Sequence, residues 1–162
     1  YTASTVYHLV PYKEQVTRIL KRIDHMMIFV LIAGTYTPIC LVPLRGAWGW
    51  SLFGCVWGIA FLGIIMKAFW IQAPRWFSTL LYVVMGWLVI IAFFPLVRPI
   101  PLRGLGWLVI GGLLYTVGAV IYGAKWPNLK PGFGFHEIFH FFVLGGSFSH
   151  FWLMYRYLIL VS

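Results

Sequence analysis

A chain of 162 residues that is 62% hydrophobic and only 9% charged, with a mean hydropathy of +0.90, lies far outside the range of soluble globular domains. Its formal charge of +9 comes from twelve basic against three acidic residues, but the basic ones fall in short stretches between apolar runs and form no basic face on a soluble element, which excludes a nucleic-acid partner. Cys40 and Cys55 both lie inside apolar runs, where a thiol is a small hydrophobe, so no disulfide framework is present.

Residues 1–11 are apolar but only about half the length of a bilayer crossing, and read as a partial span. The chain starts without an initiator Met and without a basic stretch ahead of a cleavage site, so it is expected to lack an N-terminal portion, up to a whole helix. Residues 12–23, with Lys13, Arg18, Lys21 and Arg22, read as a charged loop. Five spans follow, at about 25–43, 47–67, 76–97, 104–124 and 133–160, each close to or above the roughly 20 residues that cross a hydrocarbon core. The short linkers leave no room for a soluble domain. The fold class is therefore an all-α membrane protein, one polytopic helical bundle over residues 1–162.

Within these spans Pro38 should kink the first, with Thr35 or Thr37 occupying freed carbonyls. Gly54 and Gly58 make a small-xxx-small pair that would permit close helix contact. Most tryptophans lie near span ends, as in an aromatic belt, whereas Trp57 and Trp87 fall deeper. Eight basic residues (Lys13, Arg18, Lys21, Arg22, Lys67, Arg75, Lys125 and Lys130) flank one side and four (Arg45, Arg98, Arg103 and Arg156) the other, which assigns the first side to the cytoplasm and the C-terminus to the outside.

Against this background Ser4, His8, Asp24, His136 and His140 stand out. Ser4/His8 and His136/His140 are each spaced i, i+4, so each pair shares a helix face. The partial span ends, and the last span begins, at the cytoplasmic side, which sets His8 level with His136, and Ser4 level with His140 about 6 Å deeper; Asp24 opens its span from the same side. Three imidazoles suit a catalytic zinc ion, which keeps a water in its fourth position. His8, His136 and His140 are the predicted ligands, with Asp24 and Ser4 as catalytic groups that hold or activate the water. The same residues also admit plainer readings: Asp24 could pair with Arg22 or cap a helix, and Ser4 could bond a backbone carbonyl. His25 and His150 read as core or interface residues, the latter about 21 Å along the helix from His136. Finally, His136-Glu137-Ile138-Phe139-His140 spells the H-E-x-x-H pattern of metalloproteases, which would make Glu137 the base, but no second ligand segment of the usual kind accompanies it.

Three stretches carry a family resemblance: Ser4-Thr5-Val6-Tyr7-His8; Ile23-Asp24-His25 followed by Ile32-Ala33-Gly34-Thr35-Tyr36-Thr37-Pro38; and Gly134-Phe135-His136-Glu137-Ile138-Phe139-His140. With them the chain resembles the hemolysin III family, the bacterial branch of the progestin and adipoQ receptors. The resemblance implies a seven-helix architecture with helices two to seven represented here, in the inner membrane of a bacterium. It also implies zinc on the histidines matching His8, His136 and His140, with the Asp24 position reaching it through water, and hydrolysis of lipid amides such as ceramides.

Two functions from different classes follow. One is a zinc-dependent hydrolase of amide or ester bonds in a membrane lipid, its acyl chain lying against Phe139, Phe141 and Phe142. The other is a membrane sensor or homeostasis protein in which zinc only ties the first segment to the last; a closed four-ligand site would mark it.

Overall fold

The computed structural model describes residues 1–9, 13–70, 74–129 and 133–159, excluding the side chains of His8, Leu9 and Arg75. Among these residues every regular element is helical apart from an isolated bridge at Phe133, in accord with the expected class. In chain order they are α1 (Thr2–Leu9), α2 (Glu14–Leu41), α3 (Ala47–Phe69), α4 (Arg75–Trp87), a 3-10 turn (Leu88–Ala92), α5 (Phe93–Val97), α6 (Leu102–Ala124) and α7 (Phe135–Leu153), which runs into a π turn at Met154–Leu158. Four stretches are long and apolar enough to cross a membrane: Glu14–Leu41, Ala47–Phe69, Trp76–Val97 and Leu102–Ala124. The fifth expected span, α7, has the length at 19 residues but is less apolar, since it carries His136, Glu137, His140 and His150.

Residues 14–23, expected as a loop, are the first turns of α2. Good helix formers dominate there, and Val16, Ile19, Leu20 and Ile23 recur at helical spacing, so the basic residues ride on a helix instead of interrupting one. At 1.5 Å per residue the 28 residues of α2 extend about 42 Å, beyond the roughly 30 Å of a hydrocarbon core. Its N-terminal turns therefore stand clear of the lipid tails, and Asp24 falls near the boundary.

The span at 76–97 is discontinuous, which its unbroken hydropathy conceals. Pro95 has no N–H to give and its ring crowds the carbonyl four residues back, at Ile91, inside the 3-10 turn. The loss of α-helical pairing is repaired from α2: the Tyr36 hydroxyl donates to the Gly86 carbonyl at 2.6 Å and accepts the Val89 N–H at 2.9 Å. Tyr36 is thus a buried staple across a broken helix.

Pro38 lies within α2, but the threonine hydroxyls bond the Leu31 and Ala33 carbonyls four residues behind each, and not the Gly34 carbonyl that the proline leaves without its helical donor. The deep tryptophans each find a threonine on a neighbouring helix: Trp57 donates to Thr37 at 3.1 Å and Trp87 to Thr116 at 2.9 Å. Gly54 and Gly58 face open space, so they permit no close contact. The close approaches are elsewhere. Gly63 receives the Phe29 ring, and along the α6/α7 seam Gly111 receives His150, Gly118 meets Phe142 and Gly146 meets Tyr115. Both cysteines are free thiols, Cys40 buried and Cys55 exposed.

Replacing Tyr36 by Phe takes the side-chain partner from the Gly86 carbonyl and from the Val89 amide inside a span where water does not replace it. Thermal or denaturant unfolding of the purified protein in micelles should show a loss of about 1–3 kcal/mol. Thr35→Val, which removes only a local helix bond, should cost clearly less.

Candidate functional site

The site grows from the start of α7. Gly134 is extended at the N-cap, and its N–H donates to Glu137 Oε2 at 2.7 Å, half of a capping box that anchors the first turn. One turn apart on the same face, His136 and His140 bring their Nε2 atoms to 3.2 Å, with ring centroids 4.7 Å apart and planes at 89°. Two imidazole lone pairs do not face each other at that distance without a proton or a cation between them. Two nitrogens each about 2.05 Å from one tetrahedral zinc would be about 3.3 Å apart, so the pair has the spacing of two ligands of one ion. Among the described residues no three His, Cys, Asp or Glu side chains converge on one point. The side chain of His8, the third predicted ligand, lies outside the described residues.

The start of the chain is joined to α7 by the Tyr1 hydroxyl, 2.5 Å from Ser147 Oγ and 3.4 Å from the Val143 carbonyl. Ser4, in α1, is half-buried.

Asp24 sits in the third turn of α2, so it does not cap that helix, and its side chain is 17% exposed. Its Oδ2 lies 3.9 Å from His25 Nδ1, and it does not pair with Arg22. His25 Nδ1 in turn lies 2.8 Å from the Lys21 carbonyl, in keeping with a structural part. Asp24 makes no hydrogen bond to the histidine pair. The link runs through two tyrosines that the sequence reading missed: Tyr82 donates to the His25 carbonyl at 3.2 Å and lies within electrostatic reach of both Asp24 and Tyr122. The Tyr122 ring packs on Phe139 at 5.0 Å and on His136 at 6.1 Å. Lys67, in the last turn of α3 and 3% exposed, is within electrostatic reach of Lys21 and His25. A carboxylate, two phenols, the imidazole pair and the buried Lys67 amine thus occupy one end of the bundle.

Other expectations change. Glu137 accepts the Gly134 N–H with one carboxylate oxygen, a helix-capping role distinct from the base role that H-E-x-x-H suggests. Phe141 is 64% exposed on the outside of the bundle, so an inner apolar wall is left to Phe139 and Phe142. Ser147 was also missed. It joins Tyr1 to Tyr115, whose hydroxyl is 2.7 Å from Ser147 Oγ. A signal existed, since Tyr115 and Tyr122 share a face of α6 at i, i+7, and His136, His140 and Ser147 share one of α7.

Comparison with known proteins agrees with the fold. A family model described as "Haemolysin-III related" matches residues 1–151. "Hemolysin-3" of Bacillus cereus is 40% identical over 159 residues, covering 98% of this chain and 70% of that protein. "Hemolysin-3 homolog" of Bacillus subtilis (strain 168) is 42% identical over 161 residues, covering 99% and 73% respectively. More distantly, "Monocyte to macrophage differentiation factor" of Homo sapiens is 28% identical over 169 residues, covering 98% and 65%. No solved structure gives a significant match.

If Glu137 serves the helix terminus, Glu137→Ala should lower unfolding stability by about 1 kcal/mol, the usual worth of a cap, while Glu137→Gln keeps most of it. Metal content should be unchanged in both, as measured by elemental analysis.

Proposed function

We propose that this chain, which belongs to the haemolysin III family, holds a zinc ion with His8, His136 and His140 and hydrolyses an amide or ester bond in a membrane lipid. It is a multi-pass integral membrane protein. The proposal places it in a bacterial inner membrane with the basic end, and therefore the site, at the cytoplasmic face, and with the C-terminus outside. The single observation that carries the reading is the 3.2 Å separation of the two Nε2 atoms, which is the spacing that two ligands of one tetrahedral ion require.

Zinc bound there would supply a Lewis acid that polarises a carbonyl and acidifies water near neutral pH. The chain's own residues do the rest. His136 and His140 are held to one face by a helix whose first turn is tied down at Gly134, so neither ring must be ordered when the ion arrives. Asp24, near the boundary and partly exposed, accepts the proton of the attacking water through an intervening water, since it does not touch the histidines directly. Ser4, half-buried on α1, would donate a hydrogen bond to the lipid's carbonyl region. Tyr122 and Phe139 form the apolar wall beside His136, along which an acyl chain enters from the bilayer.

A second reading has its own support. α1 is only eight residues long and already bonded to α7 through Tyr1 and Ser147, so a metal on His8 and the α7 pair would pin it further, as a structural site does. In that case the protein is a membrane sensor or homeostasis factor without turnover. The metalloprotease reading ranks below both, because Glu137 is engaged at the cap.

Purified protein should carry about one zinc per chain, and His140→Ala should lose it. Incubated with a fluorescent ceramide, the wild type should release fatty acid, and Asp24→Ala should abolish release while retaining zinc. Absence of zinc from the wild type rejects both readings. Zinc-replete protein inert on a panel of lipid amides and esters rejects the hydrolase and leaves the structural site.

A further inference from the structure

The core side of α3 is marked by its buried residues Leu52, Val56, Ala60 and Gly63, and the next position at the same helical spacing is Lys67, only 3% exposed. Its register against α2 follows from Gly63, which receives the Phe29 ring. One turn toward the basic end of these antiparallel neighbours, Lys67 comes level with His25, and Lys21 lies a further turn out. Lys21 and His25 are both within electrostatic reach of it.

An ionisable group on the inner face of a span is costly without a partner. The chain has three acidic residues, and each is engaged away from Lys67. Glu14 lies 3.8 Å from Arg18, Asp24 lies 3.9 Å from His25, and Glu137 accepts the Gly134 N–H. Among the described residues Lys67 makes no ion pair and no hydrogen bond, and the charge that bears on it is that of another lysine. The amine is nevertheless not sealed in. The polar side-chain atoms closed off without a partner are Ser78 Oγ and His150 Nδ1, so Lys67 Nζ, also without a partner, keeps an opening while its stem is buried.

That opening lies at a membrane boundary. α3 has 23 residues, about 34 Å, so its last turn stands where hydrocarbon gives way to headgroups. Phe69, Trp70 and Trp76 are exposed there, and both tryptophans pack on Phe77, as aromatic side chains do at that level.

We propose that Lys67 and Lys21 bind the phosphate of an anionic phospholipid in the leaflet at this end, Lys67 as the buried anchor and Lys21 as the exposed second contact. Basic recesses between helices at a membrane boundary recognise such headgroups. No carboxylate beside Lys67 is left to receive a headgroup ammonium, so a lipid of net negative charge is preferred to zwitterionic phosphatidylcholine. Inorganic phosphate offers the same anion without the acyl chains that hold it at this depth.

The test uses the full chain in nanodiscs of phosphatidylcholine, with and without phosphatidylglycerol, read by thermal unfolding and, after transfer to detergent, by native mass spectrometry. Phosphatidylglycerol should raise the thermal midpoint of the wild type and stay bound to it. Lys67→Met keeps an apolar stem in place and removes the charge, so it should lose the lipid and gain nothing from its addition. Lys21→Gln, at an exposed residue, should weaken retention, whereas Lys13→Gln, at another exposed lysine of the same end, should leave it at the wild-type level. If Lys67→Met does not fold, the contrast between Lys21→Gln and Lys13→Gln decides. The idea fails if Lys67→Met gains as much from phosphatidylglycerol as the wild type, or if Lys13→Gln loses the lipid as readily as Lys21→Gln. It fails also if inorganic phosphate added to phosphatidylcholine nanodiscs raises the midpoint as far as phosphatidylglycerol does, which assigns a soluble anion instead.

Discussion

Hydrocarbon offers no hydrogen bonds, and that single fact organises this molecule. Each polar group placed inside a span must find its partner on the same helix or a neighbour, so polar side chains become the points at which helices are held in register. Tyr36 pairs with two backbone groups, the Gly86 carbonyl and the Val89 amide, where α4 gives way to the 3-10 turn. Trp57 and Trp87 each draw a threonine from an adjacent helix. The apolar remainder supplies burial but little register, since lipid tails are nearly as good a surroundings for Leu or Ile as another helix is.

The seam between α6 and α7 follows from the same constraint. Gly111, Gly118 and Gly146 alternate between the two helices and let rings from the partner approach the backbone, so His150, Phe142 and Tyr115 settle into fixed places. Tyr115 then presents its hydroxyl to Ser147, and Ser147 meets Tyr1 of α1. Ser147 thus bonds the hydroxyl of Tyr115 on α6 and that of Tyr1 at the start of the chain, about 10 Å inward from His140.

Much of this was legible in the sequence, for physical reasons that differ from residue to residue. The all-α architecture, the order of the helices and the His136/His140 pairing follow from hydropathy and from 3.6-residue periodicity, which are local properties. The helical start of α2 was hidden because charge was read as loop, although Val16, Ile19, Leu20 and Ile23 keep helical spacing through the charges. The break at Leu88–Ala92 was hidden because hydropathy does not register a missing N–H, and only Pro95 betrays it. Gly54 and Gly58 carried the motif for close packing while Gly111 and Gly146 carried the packing, because a motif on one helix says nothing about which face meets a neighbour. The neighbourhood of Asp24 could not be read from the sequence, because the approach of Tyr82 to Asp24 and of Tyr122 to His136 is a tertiary fact.

Three histidines on one helix end in two kinds of chemistry because depth changes what surrounds each ring. His136 and His140 lie in the first two turns of α7, beside Tyr122 and near charged groups, with their Nε2 atoms turned toward each other. At that distance the N–H of one ring can donate to the lone pair of the other. His150, deeper in the same helix and nine-tenths buried, instead donates its Nε2 proton to the Leu108 carbonyl and rests its ring on Gly111. There the imidazole ties α7 to α6, so ten residues along one helix change a ring that meets another imidazole into one that holds two helices together, with no change in the side chain itself.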